Sequence, residues 1–176
     1  MAAGRSSGAG PLMCERGMTA IRQAIAVQNR LGETPLWCMA SQSLWWIDIE
    51  QPTLHRFWPA TGRHEAIGMG GRFLGSLALC DNGDLLIGRD LALGRFRPVD
   101  GSITPLCQVE AATLDHRLND GRCDHLGRFW VGTMDNELRE PLGSFYRIDP
   151  DGSVHRQFGD IIVTNTVAIS LDNRTL

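Results

Sequence analysis

A chain of 176 residues with 43% hydrophobic side chains can bury a core and fits within one domain. Its 17 basic and 20 acidic residues give a net charge of −3 without a basic stripe, which argues against nucleic acid as a partner. No apolar run reaches the roughly 18 residues of a membrane span, and the start lacks the apolar centre of a secretory leader. No membrane association is expected, and a cytoplasmic location is.

Residues 1–17, MAAGRSSGAGPLMCERG, are small, polar and rich in Gly and Ser. They predict a disordered or non-native extension, with the natural start of ordered sequence at Met18. The five cysteines, Cys14, Cys38, Cys80, Cys107 and Cys123, are odd in number and never form C-x-x-C. That pattern predicts reduced thiols rather than a disulfide framework or a thiolate metal site.

Beyond this start, short apolar runs between turn signals replace any helical period. The first run is Ser43-Leu44-Trp45-Trp46-Ile47-Asp48. The second is Asp84-Leu85-Leu86-Ile87-Gly88, after the turn Asp81-Asn82-Gly83. The third is Arg128-Phe129-Trp130-Val131-Gly132, after Asp124-His125-Leu126-Gly127. Leu44, Leu85 and Phe129 are 41 and 44 residues apart, and a fourth copy opens at Leu171-Asp172-Asn173-Arg174-Thr175-Leu176, another 47 residues on.

A second run follows each of the first three, at 55–62, 94–101 and 144–152. Thr61-Gly62, Asp100-Gly101 and Asp151-Gly152 close them, because the turn needs a positive φ that Gly supplies. The third repeat is longer at Asn136 to Gly143, which predicts an extra loop on one face. A period of about 40–45 residues with several short strands per unit marks a propeller blade. Both halves of the unit recur in phase, which favours an all-β propeller over a sandwich with accidental regularity. Roughly three to three and a half blades are present, an incomplete ring. A half-ring on its own is expected to fold poorly or associate, with Trp37, Trp45, Trp46 and Trp130 losing part of their packing.

Three polar segments lie at blade starts. Glu33, in Leu31-Gly32-Glu33-Thr34-Pro35-Leu36-Trp37, precedes a strand. Arg117 and Asn119 alternate with Leu118, so an extended chain puts them on one face. Asp120-Gly121 reads as a plain turn. Asn165 interrupts the apolar run Val163-Thr164-Asn165-Thr166-Val167, and a buried Asn must find partners or a ligand. Inner ends of propeller strands converge on a central channel, where Glu33, Asn119 and Asn165 would offer only oxygen donors. Such a set suits Ca²⁺, Mg²⁺ or Mn²⁺, and Zn²⁺ is compatible with the carboxylate.

From about residue 24 onward, the sequence resembles the SMP-30/gluconolactonase/regucalcin family of six-bladed propellers. The resemblance rests on Gly32-Glu33-Thr34-Pro35-Leu36-Trp37, Leu44-Trp45-Trp46-Ile47-Asp48-Ile49, Arg117-Leu118-Asn119-Asp120-Gly121-Arg122 with Asp124 and Gly127-Arg128, and Gly132-Thr133-Met134. It implies one divalent metal ion, with Glu33 and Asn165 as ligands and Asn119 able to approach the metal. It implies a small sugar lactone held by Arg117 and Asn119, and by Glu137 in some members. Two departures stand out. Thr166 occupies a position where the family usually has Gly or Ser, which would crowd the site. The family's remaining ligand, an Asp thought also to serve as general base, is expected beyond Leu176, so no catalytic residue is assigned within the chain.

The implied reaction is hydrolysis of an aldonolactone. Two alternatives fit the same residues: a non-catalytic divalent-cation (calcium) binding protein, and an inactive fragment of a disrupted gene. The sequence leaves the lactone, the metal and the oligomeric state open.

Overall fold

The computed structural model describes residues 21–112 and 115–176. The expected N-terminal extension, Met18 and Cys14 lie outside them. Twelve strands form three four-stranded antiparallel sheets, each in simple sequence order. Blade 1 holds β1 (Gly32–Cys38), β2 (Ser43–Asp48), β3 (Thr53–Trp58) and β4 (Arg63–Gly68). Blade 2 holds β5 (Leu74–Leu79), β6 (Leu85–Arg89), β7 (Ala92–Arg97) and β8 (Ser102–Gln108). Blade 3 holds β9 (His116–Cys123), β10 (Phe129–Asp135), β11 (Gly143–Ile148) and β12 (Val154–Ile161). Among the described residues no helix is long and apolar enough to cross a membrane.

The two apolar runs per repeat are the second and third strands of each blade. The second strands are buried on both faces, so they read as continuous hydrophobic sequence. The fourth strands carry mostly exposed side chains and have no such signature. Gly62, Gly101 and Gly152 take φ of 71°, 74° and 87°, as their turns require. The extra length of the third repeat is the loop between β10 and β11.

Two apolar layers join the blades. Trp45, Ile47, Leu54 and Met69 of blade 1 pack with Leu74, Leu77, Ile87 and Phe96 of blade 2. Ala78 and Leu93 of blade 2 pack with Leu118, Phe129, Val131 and Ile148 of blade 3. Trp45 and Trp46 are buried, whereas Trp37 is 42% exposed. Backbone bonds tie the blades at one level: Leu74 N donates to Ile49 O at 3.2 Å and Leu118 N to Asp90 O at 2.7 Å. The inner strands approach so closely there that a Cβ on Gly75 would sit 1.9 Å from Leu118 O. The four cysteines among the described residues are free thiols, as expected.

Blade 3 is closed by Asp124. Its carboxylate accepts from Leu126 N, Arg128 N, Arg128 Nε and Trp130 Nε1 at 2.6–3.0 Å. Burial acts to raise its pKa, but the bonds from Trp130, Arg128 and Leu126 outweigh that and hold it at about 2, against an ordinary 3.8.

Two outcomes follow. Gly75→Ala costs about 2–3 kcal/mol of unfolding free energy in chemical denaturation, while Gly68→Ala, which meets nothing within 4 Å, stays within about 0.5 kcal/mol. Asp124 titrates lower in the folded than in the unfolded chain. Its contribution, about 2 kcal/mol, is therefore complete above pH 5 and lost as pH falls toward 2. Asp124→Asn removes that part of the acid sensitivity in melts across this range.

Candidate functional site

Each first strand carries a register shift against its neighbour. On β1 two residues, Thr34 and Pro35, stand opposite Trp46 alone. On β9 Asn119 and Asp120 stand opposite Gly132 alone. On β5 Gly75 is inserted between the pairs Leu74↔Arg89 and Ser76↔Gly88. A bulge bends the strand and re-aims side chains without losing the rest of the ladder. Glu33 and Asn119 therefore lie within first strands, at bulges, and not before strands as the sequence suggested.

The repeat aligns these positions. Counting back 11 residues from Leu44, Leu85, Phe129 and Leu176 gives Glu33, Leu74, Leu118 and Asn165. Leu74 and Leu118 point into the interblade cores and are fully buried. Glu33 and Asn165 are instead exposed and line one cavity of about 620 Å³, together with Leu36, Leu77, Asp120 and Val167. Each precedes a threonine in left-handed backbone, Thr34 at φ 52° and Thr166 at φ 58°.

The expectation of a buried Asn165 is corrected. The left-handed turn at Thr166 breaks the alternation of the segment, so Thr164 and Val167 are buried and Asn165 faces the cavity. Its Oδ1 accepts from Thr166 N at 3.1 Å. Thr164 fits only because position 132 is glycine: a Cβ there would lie 2.0 Å from Thr164 Cβ.

Arg117 and Asn119 do share a face and are both buried. Arg117 Nη1 donates to Asn119 Oδ1 at 2.5 Å, and Asn119 Nδ2 donates to Thr164 O at 2.6 Å. Both ends of this amide are engaged, although Oδ1 keeps a second lone pair. The Arg117 guanidinium lies 5.6 Å from the centre of the Phe73 ring. Burial pulls its pKa below the usual guanidinium range, and the carboxylates of Glu50 and Glu33 oppose that. Glu137 sits apart, exposed on the β10–β11 loop and paired with Arg139 at 2.7 Å. It does not line the cavity with Glu33 and Asn165.

Sequence reasoning missed two contributors. Asp120 is not in a plain turn; the bulge turns it to the cavity, and its Oδ2 accepts from Val167 N at 2.9 Å. Asp48 accepts from Arg30 N at 2.8 Å and Leu31 N at 3.2 Å, fixing the approach to Glu33. Its pKa is lowered: burial acts to raise it, and the bonds from Arg30, Gln51, Leu31 and Asn29 prevail. An Asp closing an apolar strand was the available signal for the second.

Among the described residues no three His, Cys, Asp or Glu side chains cluster as a metal site. The cavity instead offers carboxylate oxygens from blades 1 and 3 and an amide oxygen from the segment after blade 3, open to water. That donor chemistry fits a hard cation completed by further oxygen ligands.

Residues 31–176 match the family model described as the SMP-30/Gluconolactonase/LRE-like region. This chain belongs to that family. It is 32% identical to regucalcin of Gallus gallus over 151 residues, covering 83% of this chain and 50% of that protein. It is 34% identical to L-arabinolactonase of Azospirillum brasilense over 158 residues, covering 82% of this chain and 49% of that one. Its fold is similar to the crystal structure of a calcium-binding protein, regucalcin, from Agrobacterium tumefaciens, with TM-score 0.80, 29% identity, and 85% and 50% of the two chains covered. The chain thus spans about half the length of the curated relatives it matches.

Within this family chain, Thr166 holds a conformation that a β-branched residue adopts at a cost. Thr166→Gly is expected to raise the unfolding free energy by about 0.5–1 kcal/mol in denaturant titration, relief of strain exceeding the added chain entropy.

Proposed function

We propose that this protein hydrolyses a sugar lactone with the help of one divalent cation held by Glu33 and Asn165. The observation that supports this most is their equivalence. They occupy the same repeat position, Glu33 on blade 1 and Asn165 in the segment after blade 3, each precedes a left-handed threonine, and both line one cavity, where the other two copies of that position are core leucines.

When bound, the cation supplies Lewis-acid polarisation of a carbonyl oxygen. Glu33 contributes negative charge and Asn165 a neutral oxygen, so the pair attracts a cation without closing its coordination. Arg117 and Asn119 orient the sugar hydroxyls, which lowers the entropy cost of reaction rather than making bonds. Arg117 is well suited to this. It is buried and is locked by its bond to Asn119, so little motion is lost when substrate arrives. Glu137, paired with Arg139 away from this cavity, takes no part in this arrangement. In the reaction the ring C–O bond breaks, the water oxygen adds to the carbonyl carbon, and the alkoxide gains a proton, giving the open hydroxy acid.

The family resemblance to L-arabinolactonase supports the lactone. The likeness to a calcium-binding regucalcin supports the cation and favours a second reading, cation binding without turnover.

Calorimetric titration with Ca²⁺ and Mn²⁺, paired with proton release from glucono- and arabinonolactones, tests the proposal. The native protein binds one ion and turns over lactone. Glu33→Gln and Asn165→Ala each weaken binding by at least about tenfold, or 1.4 kcal/mol. Binding without turnover supports the second reading, and absence of binding defeats both.

A further inference from the structure

The bulge on β9 delivers two neighbouring side chains to the same stretch of backbone. Asn119 Nδ2 donates to Thr164 O at 2.6 Å, and Asp120 Oδ2 accepts from Val167 N at 2.9 Å. The two bonds bracket Asn165 and Thr166, the only residues between the anchored ones. Both reach 45 or more residues along the chain, so they join blade 3 to the segment that follows it.

We infer that Asn119 and Asp120 form a clamp that sets the position of Asn165, with Asp120 as a positioning residue. The inference rests on Asn165 being a cation ligand. Three features support it. Residues 162–176 contain no strand, so Asn165 has no ladder of its own to hold it. Its backbone is turned by a left-handed threonine, a conformation that persists only when surrounding contacts fix it. Two further contacts of the segment also come from blade 3: Thr164 Oγ1 donates to Thr133 O at 3.3 Å, and Thr164 packs over Gly132. Asp120 is suited to its task because a carboxylate accepts a backbone N–H more strongly than a neutral oxygen does. Arg117 extends the clamp by holding Asn119 Oδ1, so the amide can present only its Nδ2 to Thr164. Orientation of the lactone and placement of the cation ligand are thereby linked through one side chain.

Asp120→Asn and Asp120→Ala distinguish a clamp from direct use of the Asp120 charge. The Asn variant keeps an oxygen that accepts from Val167 N, and the Ala variant does not. Two readouts are taken: hydrogen exchange of the Val167 amide without metal, followed by NMR, and Ca²⁺ affinity by calorimetry. In the Ala variant, Val167 exchange accelerates and Ca²⁺ affinity falls by about 10–100-fold. In the Asn variant both stay within about threefold of native, the small residue reflecting the weaker neutral bond. Should Asp120→Ala not fold, Asp120→Ser, too short to reach the amide, carries the same expectation.

The inference is overturned if Val167 exchange is unchanged in the Ala or Ser variant. It is also overturned if Asp120→Asn loses Ca²⁺ affinity as fully as Asp120→Ala while Val167 stays protected, because the charge itself would then be the ligand. If native protein binds no Ca²⁺, the proposed function fails, and Val167 exchange alone decides whether the clamp exists.

Discussion

The close approach of first strands at one level of the ring governs the rest of this structure. At that level a Cβ on Gly75 would lie 1.9 Å from the carbonyl of Leu118. Near this level each first strand carries an extra residue against its neighbour. That insertion turns side chains out of their ordinary alternation.

Where the position before the bulge is leucine, the blade gains core. Where it is Glu33, the cavity gains an oxygen donor; Asn165, outside any strand, reaches the same cavity through the left-handed turn at Thr166. On these three strands one backbone device thus serves two ends, and the residue type decides which. The surrounding polar groups then stabilise a geometry that a sheet alone would not hold. Asp48 grips the amides leading into Glu33, and Asp120 grips the amide after Thr166. Arg117 is buried near Glu50 and Glu33, which holds a positive charge close to these carboxylates without exposing it to water.

The blade repeat was legible because the second strands are buried on both faces and the third strands end in glycine turns. Leu44, Leu85 and Phe129 therefore stood out at fixed spacing. First strands were harder to see, since bulges interrupt their period and Gly32, Pro35 and Gly75 read as loop. Glu33, Arg117 and Asn119 were found because they carry unusual polarity beside apolar sequence, and the shared face of the latter two is what the structure shows. The burial of Asn165 was misjudged because nothing in Val163–Val167 announces a left-handed threonine. Asp120 was passed over for a related reason: Asp-Gly is a common turn pair, and only the long-range partner Val167 reveals another use. Glu137 stands on a loop whose length no spacing rule fixes, and it lies away from the other candidates.

The central claim is that Glu33 on blade 1 and Asn165 in the segment after blade 3 present oxygens from equivalent repeat positions to a single cation. Diffraction from crystals soaked in Mn²⁺, with an anomalous difference map, addresses it most directly. The account predicts one strong peak within coordination distance, about 2.2 Å, of both a Glu33 carboxylate oxygen and the Asn165 side-chain oxygen. A peak bound elsewhere, with both side chains left in solvent, would contradict it.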